Sequence, residues 1–273
     1  VLVGAAAAAP ESWSVCPLAN ISICAPTQTL AAGSGQLHVA VYNSLAQPLD
    51  AVVELPISAA SLKLVAGPAA AGPTSVQIVP SLPPVTNYAT ADPAAALRTA
   101  LFRARVPPLG HALYTFAAVP DETVEQPAEA PEHTAATPAA TPAPAPAGSA
   151  VTIENEALSL TFDATGALAS ITNKAAKLTT PLTQVFGYYK ASEGSKASGG
   201  GGQGSDGRGQ ASGAYIFRPN VSTSFTTGAP LITRVVGVGA SATGSYIVQE
   251  VTQTFGPWVS QRVRLAAGAR HAE

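Results

Sequence analysis

The sequence contains no methionine and few charged residues. A chain of 273 residues without methionine does not begin at its own start codon, so we expect a fragment or a processed chain. Charged residues make up only 11% of the sequence, the net charge is -2, and lysine and arginine form no cluster. A nucleic-acid partner is therefore not expected, because binding to phosphates requires concentrated positive charge.

Long apolar segments are also missing. The alanine-rich residues 1–9 are too short to cross a bilayer, so no membrane span is predicted. They could be the end of a signal peptide, but no basic segment precedes them. We favour the tail of a helix that belongs to a preceding domain.

Short runs of alternating apolar and polar residues are what the sequence does contain. They predict strands at residues 36–42, 51–55, 61–65, 75–79, 101–106 and 112–117, separated by proline and glycine. This density of short strands predicts an all-β protein that begins with a small antiparallel β-sandwich. His38 is expected on the exposed face of the first strand, and without a second ligand at metal spacing a surface histidine is favoured over a metal ligand.

The same pattern resumes after residue 150. It predicts strands at residues 158–162, 168–172, 231–239 and 245–255, and from Trp258 to the end of the sequence. Gly166 is expected to adopt a positive φ at a hairpin. Because residues 270–273 still have strand character, the second sheet is expected to be unfinished at that point.

These elements predict four regions. Residues 1–35 are the end of a helical region and a cysteine loop, and residues 36–120 are the small sandwich. Residues 121–150 form a linker rich in proline, alanine and threonine. Residues 151–273 are the first part of a larger β-sandwich, interrupted by a glycine-rich loop at residues 192–210.

Glu154 and Glu156 are the pair of carboxylates that suggests a glycosidase centre. Residues two apart on a strand share a face, which a pair of catalytic carboxylates requires. Nothing in the surrounding sequence suggests a cleft, so solvated charges at a sheet edge are the favoured interpretation. We find no Ser-His-Asp set, Cys-His pair, phosphate loop or histidine cluster with credible spacing.

Cys16 and Cys24 are the only cysteines. Two cysteines in a short polar loop either close a disulfide ring in an oxidising compartment or remain buried free thiols. Asn20-Ile21-Ser22 and Asn220-Val221-Ser222 are acceptor sequences for N-glycosylation. Both observations predict a lumenal or secreted protein.

The most informative run is QASGAYIFRPN at residues 210–220, directly after a segment saturated with glycine. Residues 215–217 predict a short strand that ends at Pro219, with Tyr215 and Phe217 on one side and Ile216 on the other. An ordinary core strand is the alternative to a functional loop.

This run resembles the lysosomal-type α-mannosidases, which are retaining glycosidases of glycoside hydrolase family 38. Three other segments are similar to the same enzymes in the same order: CPLANISICAPTQT at 16–29, VTIENEALSLTF at 151–162 and VQEVTQTFGPWVSQRVRLAAGARH at 248–271. The similar region lies downstream of the catalytic domain in that family. Gly187 and the long glycine-rich loop depart from the family pattern.

The resemblance implies a retaining α-mannosidase that hydrolyses terminal α-mannosyl residues of N-glycans. Its aspartate nucleophile and the ligands of its catalytic zinc would lie in a preceding α/β barrel, so the isolated fragment is expected to be inactive. The implied partners are mannose-containing N-glycans and the chain's own catalytic domain. The implied location is the lysosomal or vacuolar lumen, or the outside of the cell.

The resemblance also implies roles for individual residues. Cys16 and Cys24 would form a disulfide around a glycosylated Asn20, and the larger sandwich would resemble galactose mutarotase-type domains. Tyr215 is the candidate for the sugar pocket, since a phenol offers both a hydrogen bond and a flat apolar face. Otherwise it is a residue of interdomain packing. The alternative function is a non-catalytic extracellular β-sandwich module that binds glycan or protein.

Overall fold

The structure is a computed structural model that describes residues 2–6, 13–16, 23–28, 35–58, 61–68, 75–81, 98–119, 149–192, 211–213, 215, 217–237 and 246–273. Strand is nearly the only regular secondary structure of the described residues, at 54% strand against 2% helix, so the all-β prediction is confirmed. Most of the predicted linker and of the glycine-rich loop lies outside the described residues, as does Asn20.

The chain divides into two compact units. Unit 1 consists of residues 1–143, 236–250 and 264–273, and unit 2 consists of residues 144–235 and 251–263. The region boundaries drawn from the sequence stay a prediction.

Unit 1 contains two antiparallel sheets. The first has the strand order β1-β2-β7-β4 and the second has the order β3-β6-β5. Their bounds are β1 (Leu2–Ala6), β2 (Gln36–Tyr42), β3 (Leu49–Ile57), β4 (Ser61–Ala66), β5 (Val76–Pro80), β6 (Arg98–Val106) and β7 (His111–Val119), with a four-residue helix α1 (Ala25–Gln28) between β1 and β2.

The two sheets share one hydrophobic core. Inward residues alternate along the strands, for example Leu37 and Val39 on β2 and Leu55 and Ile57 on β3. Phe102 of β6 is buried with them. The shared core makes this part of unit 1 the small antiparallel β-sandwich that the sequence predicts.

Within unit 1, a buried glutamine joins residues 246–250 to strand β5. The Oε1 atom of Gln77 on β5 accepts hydrogen bonds from the backbone N–H groups of Ile247 and Val248, both at 2.9 Å. Its Nε2 atom donates to the carbonyl of Val248 at 3.0 Å. The amide side chain therefore satisfies backbone groups that would otherwise be buried without a partner.

The remaining strands are short. They are β8 (Val151–Glu154), β9 (Leu158–Phe162), β10 (Leu168–Asn173), β11 (Leu178–Pro181), β12 (Gly187–Tyr188), β13 (Phe225–Thr226), β14 (Leu231–Val236), β15 (Val248–Thr254) and β16 (Ser260–Ala266). They form sheets with the orders β11-β10-β9-β8, β12-β13 and β14-β15-β16. The likeness to galactose mutarotase-type domains stays a prediction.

Gly166 confirms the turn prediction. It has a φ of 89° in the connection between β9 and β10, where Asp163 accepts its N–H at 2.9 Å. A non-glycine residue rarely adopts that conformation.

Two predictions about the first strands are wrong. Residues Leu2–Ala6 form β1, paired with β2, rather than the tail of a helix. The helix propensity of alanine is a weak preference that pairing to a neighbouring strand overrides. Strand β3 also continues through Pro56, which pairs with Thr99 of β6. Proline is tolerated there because β3 is an edge strand.

The predicted exposure of His38 is wrong as well. Its side chain is only 6% exposed, and its Nδ1 atom lies 3.1 Å from the hydroxyl of Thr115, the residue opposite it on β7. Strand β2 is an inner strand, flanked by β1 and β7. The alternation of apolar and polar residues shows which side chains share a face of a strand. It does not show whether other parts of the protein also cover the polar face.

The final residues differ from their prediction too. Strand β16 ends at Ala266, and residues 270–273 are not strand. Gly268, with a φ of 73°, turns the chain two residues after the strand ends.

Candidate functional site

Unit 2 carries a group of exposed and half-buried aromatic side chains, which we call the aromatic surface: Tyr188, Tyr189, Phe217, Phe225 and Trp258. Tyr189 is 44% exposed, Trp258 is 62% exposed and Phe217 is 73% exposed. Rings of this size normally lie inside a protein, and clustered exposed apolar side chains mark sites of interaction.

The first face of the aromatic surface is built on β12 and β13. Tyr188 pairs with Phe225 across the two strands, and their rings stack with centroids 5.5 Å apart. The ring of Tyr188 also meets Trp258 edge-on at 5.1 Å. The Nζ atom of Lys190 lies 5.0 Å from the centre of the Phe225 ring, a cation–π contact.

The second face carries Tyr189 and Phe217. Their rings meet edge-on with centroids 5.3 Å apart. Since successive residues of an extended segment point to opposite sides, Tyr189 faces away from Tyr188 and Lys190. The aromatic surface therefore presents two different faces.

Backbone hydrogen bonds hold the run at residues 211–220 against residues 190–192. The N–H of Ser212 donates to the carbonyl of Ser192 at 2.8 Å, and the N–H of Ser192 donates to the carbonyl of Arg218 at 2.9 Å. The N–H of Arg218 also donates to the hydroxyl of Ser212 at 3.2 Å. Both ends of the loop between Ser212 and Arg218 are thus tied to one residue.

Tyr215 lies within this loop and is completely exposed, so its ring and hydroxyl are open to solvent. Neither Tyr215 nor Phe217 is in a strand, so the predicted strand is wrong at these two residues, and Ile216 lies outside the described residues. The backbone hydrogen bonds of this run to Ser192 are made by Ser212 and Arg218, at the base of the loop. Tyr215 therefore lies on a loop, with its side chain in solvent.

The two carboxylates that suggested a glycosidase centre lie at the end of a strand and in the bend after it. Glu154 is the last residue of β8 and its Oε2 atom is 2.8 Å from the Nζ atom of Lys174. Glu156 follows in the bend before β9, where the side chain of Asn155 accepts hydrogen bonds from Ala157 and Leu158. Both glutamates are exposed, as expected for charges at a sheet edge.

Unit 1 holds a buried charge network that sequence reasoning missed. The guanidinium of Arg264 is 4% exposed and binds the fully buried Glu250, with Nη2 and Oε2 2.8 Å apart, and also Glu54. Beside it lies a cavity of about 290 Å³ whose wall includes Arg103, which pairs with Asp50. Each charge faces an opposite one, so the network is structural. Only the alternation of charged and apolar residues in β16 hinted at it.

The described residues do not fit a catalytic zinc. Among them, no group of three or more His, Cys, Asp or Glu side chains is placed to hold a metal ion. Cys16 and Cys24 are joined in a disulfide with an S–S distance of 2.03 Å. In the ranges that the structure describes, no helix is long and apolar enough to span a membrane.

Comparison with known proteins shows which enzymes the chain is similar to. Residues 153–273 match the model described as the glycosyl hydrolases family 38 C-terminal domain. The resemblance to family 38 is confirmed. The chain is 35% identical to human lysosomal alpha-mannosidase over 264 residues, which are 96% of the chain and 22% of that protein.

More distant relatives also match nearly the whole chain. The chain is 26% identical to the lysosomal alpha-mannosidase of Dictyostelium discoideum over 276 residues, 98% of the chain and 24% of that protein. It is 28% identical to the alpha-mannosidase of Canavalia ensiformis over 277 residues, 97% of the chain and 25% of that protein. The chain therefore spans about a quarter or less of the family 38 relatives that it matches.

Proposed function

We propose that this chain is the C-terminal part of a retaining α-mannosidase that removes terminal α-mannosyl residues from N-glycans. The observation that carries the proposal is the similarity to enzymes with that name over 96% of the chain. The chain covers only 22% of the human relative, which leaves room for a catalytic domain outside it. By resemblance to family 38, we assign the nucleophile and the zinc ligands to that domain.

In such an enzyme, Tyr215 contacts the bound sugar. A phenol can hydrogen-bond to a sugar hydroxyl while its ring packs against the apolar face of the sugar. The complete exposure of Tyr215 and the ties at Ser192 support this role, because the loop has a fixed base and an accessible tip. The exposed Tyr189 and Phe217 beside it would pack against the catalytic domain.

The same proposal places the protein in the lumen of the lysosome or vacuole, or outside the cell. The disulfide between Cys16 and Cys24 supports an oxidising compartment. The two acceptor sequences for N-glycosylation agree with it.

The test uses the full-length enzyme that contains this region. Tyr215→Phe removes only the hydroxyl, and we expect kcat/KM for 4-nitrophenyl α-D-mannoside to fall about tenfold, the effect of one lost hydrogen bond. Tyr215→Ala also removes the ring and should lower kcat/KM further. Tyr42→Phe, at a 63% exposed tyrosine of unit 1, is the matched control and should leave kcat/KM unchanged.

Equal kcat/KM for Tyr215→Ala and the unmodified enzyme would remove Tyr215 from the site. The isolated chain of 273 residues should not hydrolyse the same substrate. Metal-dependent hydrolysis by the isolated chain would show that the catalytic groups lie within it.

The exposed rings of the aromatic surface support a second candidate function, that of a non-catalytic module that binds glycan or protein. The two functions predict different sequences upstream of Val1 in the transcript. The enzyme requires an upstream domain with clustered aspartates and histidines, whereas the module requires a start codon and a signal peptide shortly before Val1. Sequencing the full transcript distinguishes them.

A further inference from the structure

We propose that Asn220 carries an N-linked glycan whose first N-acetylglucosamine packs on the first face of the aromatic surface, against Lys190, Phe225 and Trp258. The inference rests on the lumenal location that is part of the proposed function, since proteins bound for that location pass through the endoplasmic reticulum, where glycans are transferred to asparagine. It adds to that function a covalent occupant for one of the two exposed aromatic faces.

The acceptor sequence is accessible. Asn220, Val221 and Ser222 are all exposed, and the chain bends there without entering a strand. Transfer requires the asparagine carboxamide nitrogen to attack C1 of the first sugar of a polyprenyl-diphosphate-linked oligosaccharide. The C1–O bond to the diphosphate breaks, the lipid diphosphate leaves, and the nitrogen loses one proton.

The register determines the face on which the glycan begins. Ala191 and Pro219 form an antiparallel bridge, and the N–H of Asn220 donates to the carbonyl of Lys190 at 2.9 Å. Asn220 is therefore the residue opposite Lys190. Residues opposite each other in an antiparallel pair project to the same side. Asn220 accordingly shares the side of Lys190, whose ammonium lies over the Phe225 ring.

The first face offers what an N-acetylglucosamine needs. One side of a pyranose ring presents C–H groups, which pack on an aromatic ring while the hydroxyls remain in water. The indole of Trp258 is 62% exposed and is held by the edge-on contact with Tyr188. The ammonium of Lys190 can donate a hydrogen bond to a sugar oxygen. A sugar seated there removes apolar ring surface from water.

The opposite face remains available. Tyr189 and Phe217 lie on the side away from Lys190, so a glycan that begins at Asn220 does not cover them. The glycan and the proposed contact of Tyr215 with substrate are therefore compatible.

The test begins with the full-length protein secreted from a eukaryotic host. Glycopeptide mass spectrometry should find Asn220 occupied. If Asn20 is occupied and Asn220 is bare, the inference fails while the lumenal location stands. If both are bare in the secreted protein, the inference also fails; the lumenal location fails only if the full-length protein stays in the cytosol of the host.

Thermal unfolding then tests the packing. Ser222→Ala abolishes the acceptor sequence but keeps Asn220 and its backbone bond to Lys190. We expect it to lower Tm by about 3 °C. Trimming the glycan to a single N-acetylglucosamine should preserve the Tm of the untreated protein, because only the first sugar touches the rings.

A double-mutant cycle identifies the rings that are involved. In a Trp258→Ala background, Ser222→Ala should lower Tm by less than 1 °C. Trp258→Phe should restore part of the shift, since it returns an aromatic ring. Equal shifts in the Trp258→Ala and unmodified backgrounds would show that the glycan does not pack on this face.

Discussion

In unit 1, Phe102, Tyr114 and Phe116 are at most 1% exposed, and the Phe102 ring lies 4.9 to 5.1 Å from the other two. In unit 2, Tyr189, Phe217 and Trp258 are between 44% and 73% exposed, although their rings contact aromatic neighbours at similar distances. Ring contact alone therefore does not make a core. The buried rings stabilise unit 1, whereas the exposed rings are available to something outside unit 2.

The tyrosine hydroxyls show the same difference. The hydroxyl of Tyr114 accepts a hydrogen bond from the N–H of Arg105 at 2.9 Å, and burial raises the pKa of the phenol above 10.0. A phenol in that position serves the fold, because its polar atom already has a partner within the sandwich. Tyr215 in the loop of unit 2 has its hydroxyl in solvent, where a ligand can reach it.

The largest expected effect tests this difference directly. Phe102→Ala should lower the free energy of unfolding by about 3–5 kcal/mol, because it opens a cavity between the two sheets of the sandwich. Phe217→Ala removes the same ring from a site that is 73% exposed and should change the free energy by less than about 0.5 kcal/mol. Urea denaturation measures both. Similar losses for the two variants would mean that the exposed rings are also a core.

A smaller effect tests whether unit 2 depends on its turns. Gly166→Ala should lower the free energy of unfolding by about 2 kcal/mol, because φ is 89° and a Cβ would lie 3.0 Å from the carbonyl oxygen of Pro230. Gly228→Ala is the matched control, since a Cβ there meets nothing within 4 Å. Equal stability of the two variants would show that the hairpin tolerates a side chain at Gly166.

The smallest effect concerns pH. The hydroxyl of Thr165 donates to Asp163 at 2.6 Å and holds the pKa of that carboxyl below 3.8, with further hydrogen bonds from the N–H groups of Thr165 and Ala167. A lowered pKa in the folded state contributes stability above the unfolded pKa. That stability is lost as the pH falls from about 4 through the folded value.

The measurement compares two proteins, since other carboxylates titrate in the same range. Asp163→Asn keeps an acceptor oxygen but does not ionise, so its Tm should fall less steeply between about pH 5 and pH 3 than that of the unmodified chain. Parallel Tm curves for the two proteins would show that this turn does not depend on the charge of Asp163.

Much of the fold could be predicted because strand alternation is a local signal. Strand β2 has the bounds that its pattern predicts, and the turn at Gly166 follows from the need for a positive φ. The run at residues 215–217 could not be assigned correctly. Its β-branched and aromatic residues favour a strand, but the backbone partners lie at Ser212 and Arg218, at the base of a loop.

The candidate site was predictable only in part. QASGAYIFRPN drew attention to Tyr215 through resemblance, and the structure shows that its side chain is fully exposed. The contacts among Tyr188, Phe225 and Trp258 join residues that are far apart in the chain, so no local pattern predicts them. The same holds for the pairing of Arg264 with Glu250.

The β class, the turn at Gly166 and the resemblance to family 38 could be read from the sequence, because alternation, glycine and ordered matches are properties of neighbouring residues. The burial of His38, the strand at Leu2–Ala6 and the exposure of Tyr215 on a loop could be seen only in the folded protein. Those outcomes depend on which strand pairs with which and on what covers each face. A local pattern contains neither, since both depend on residues distant in the chain.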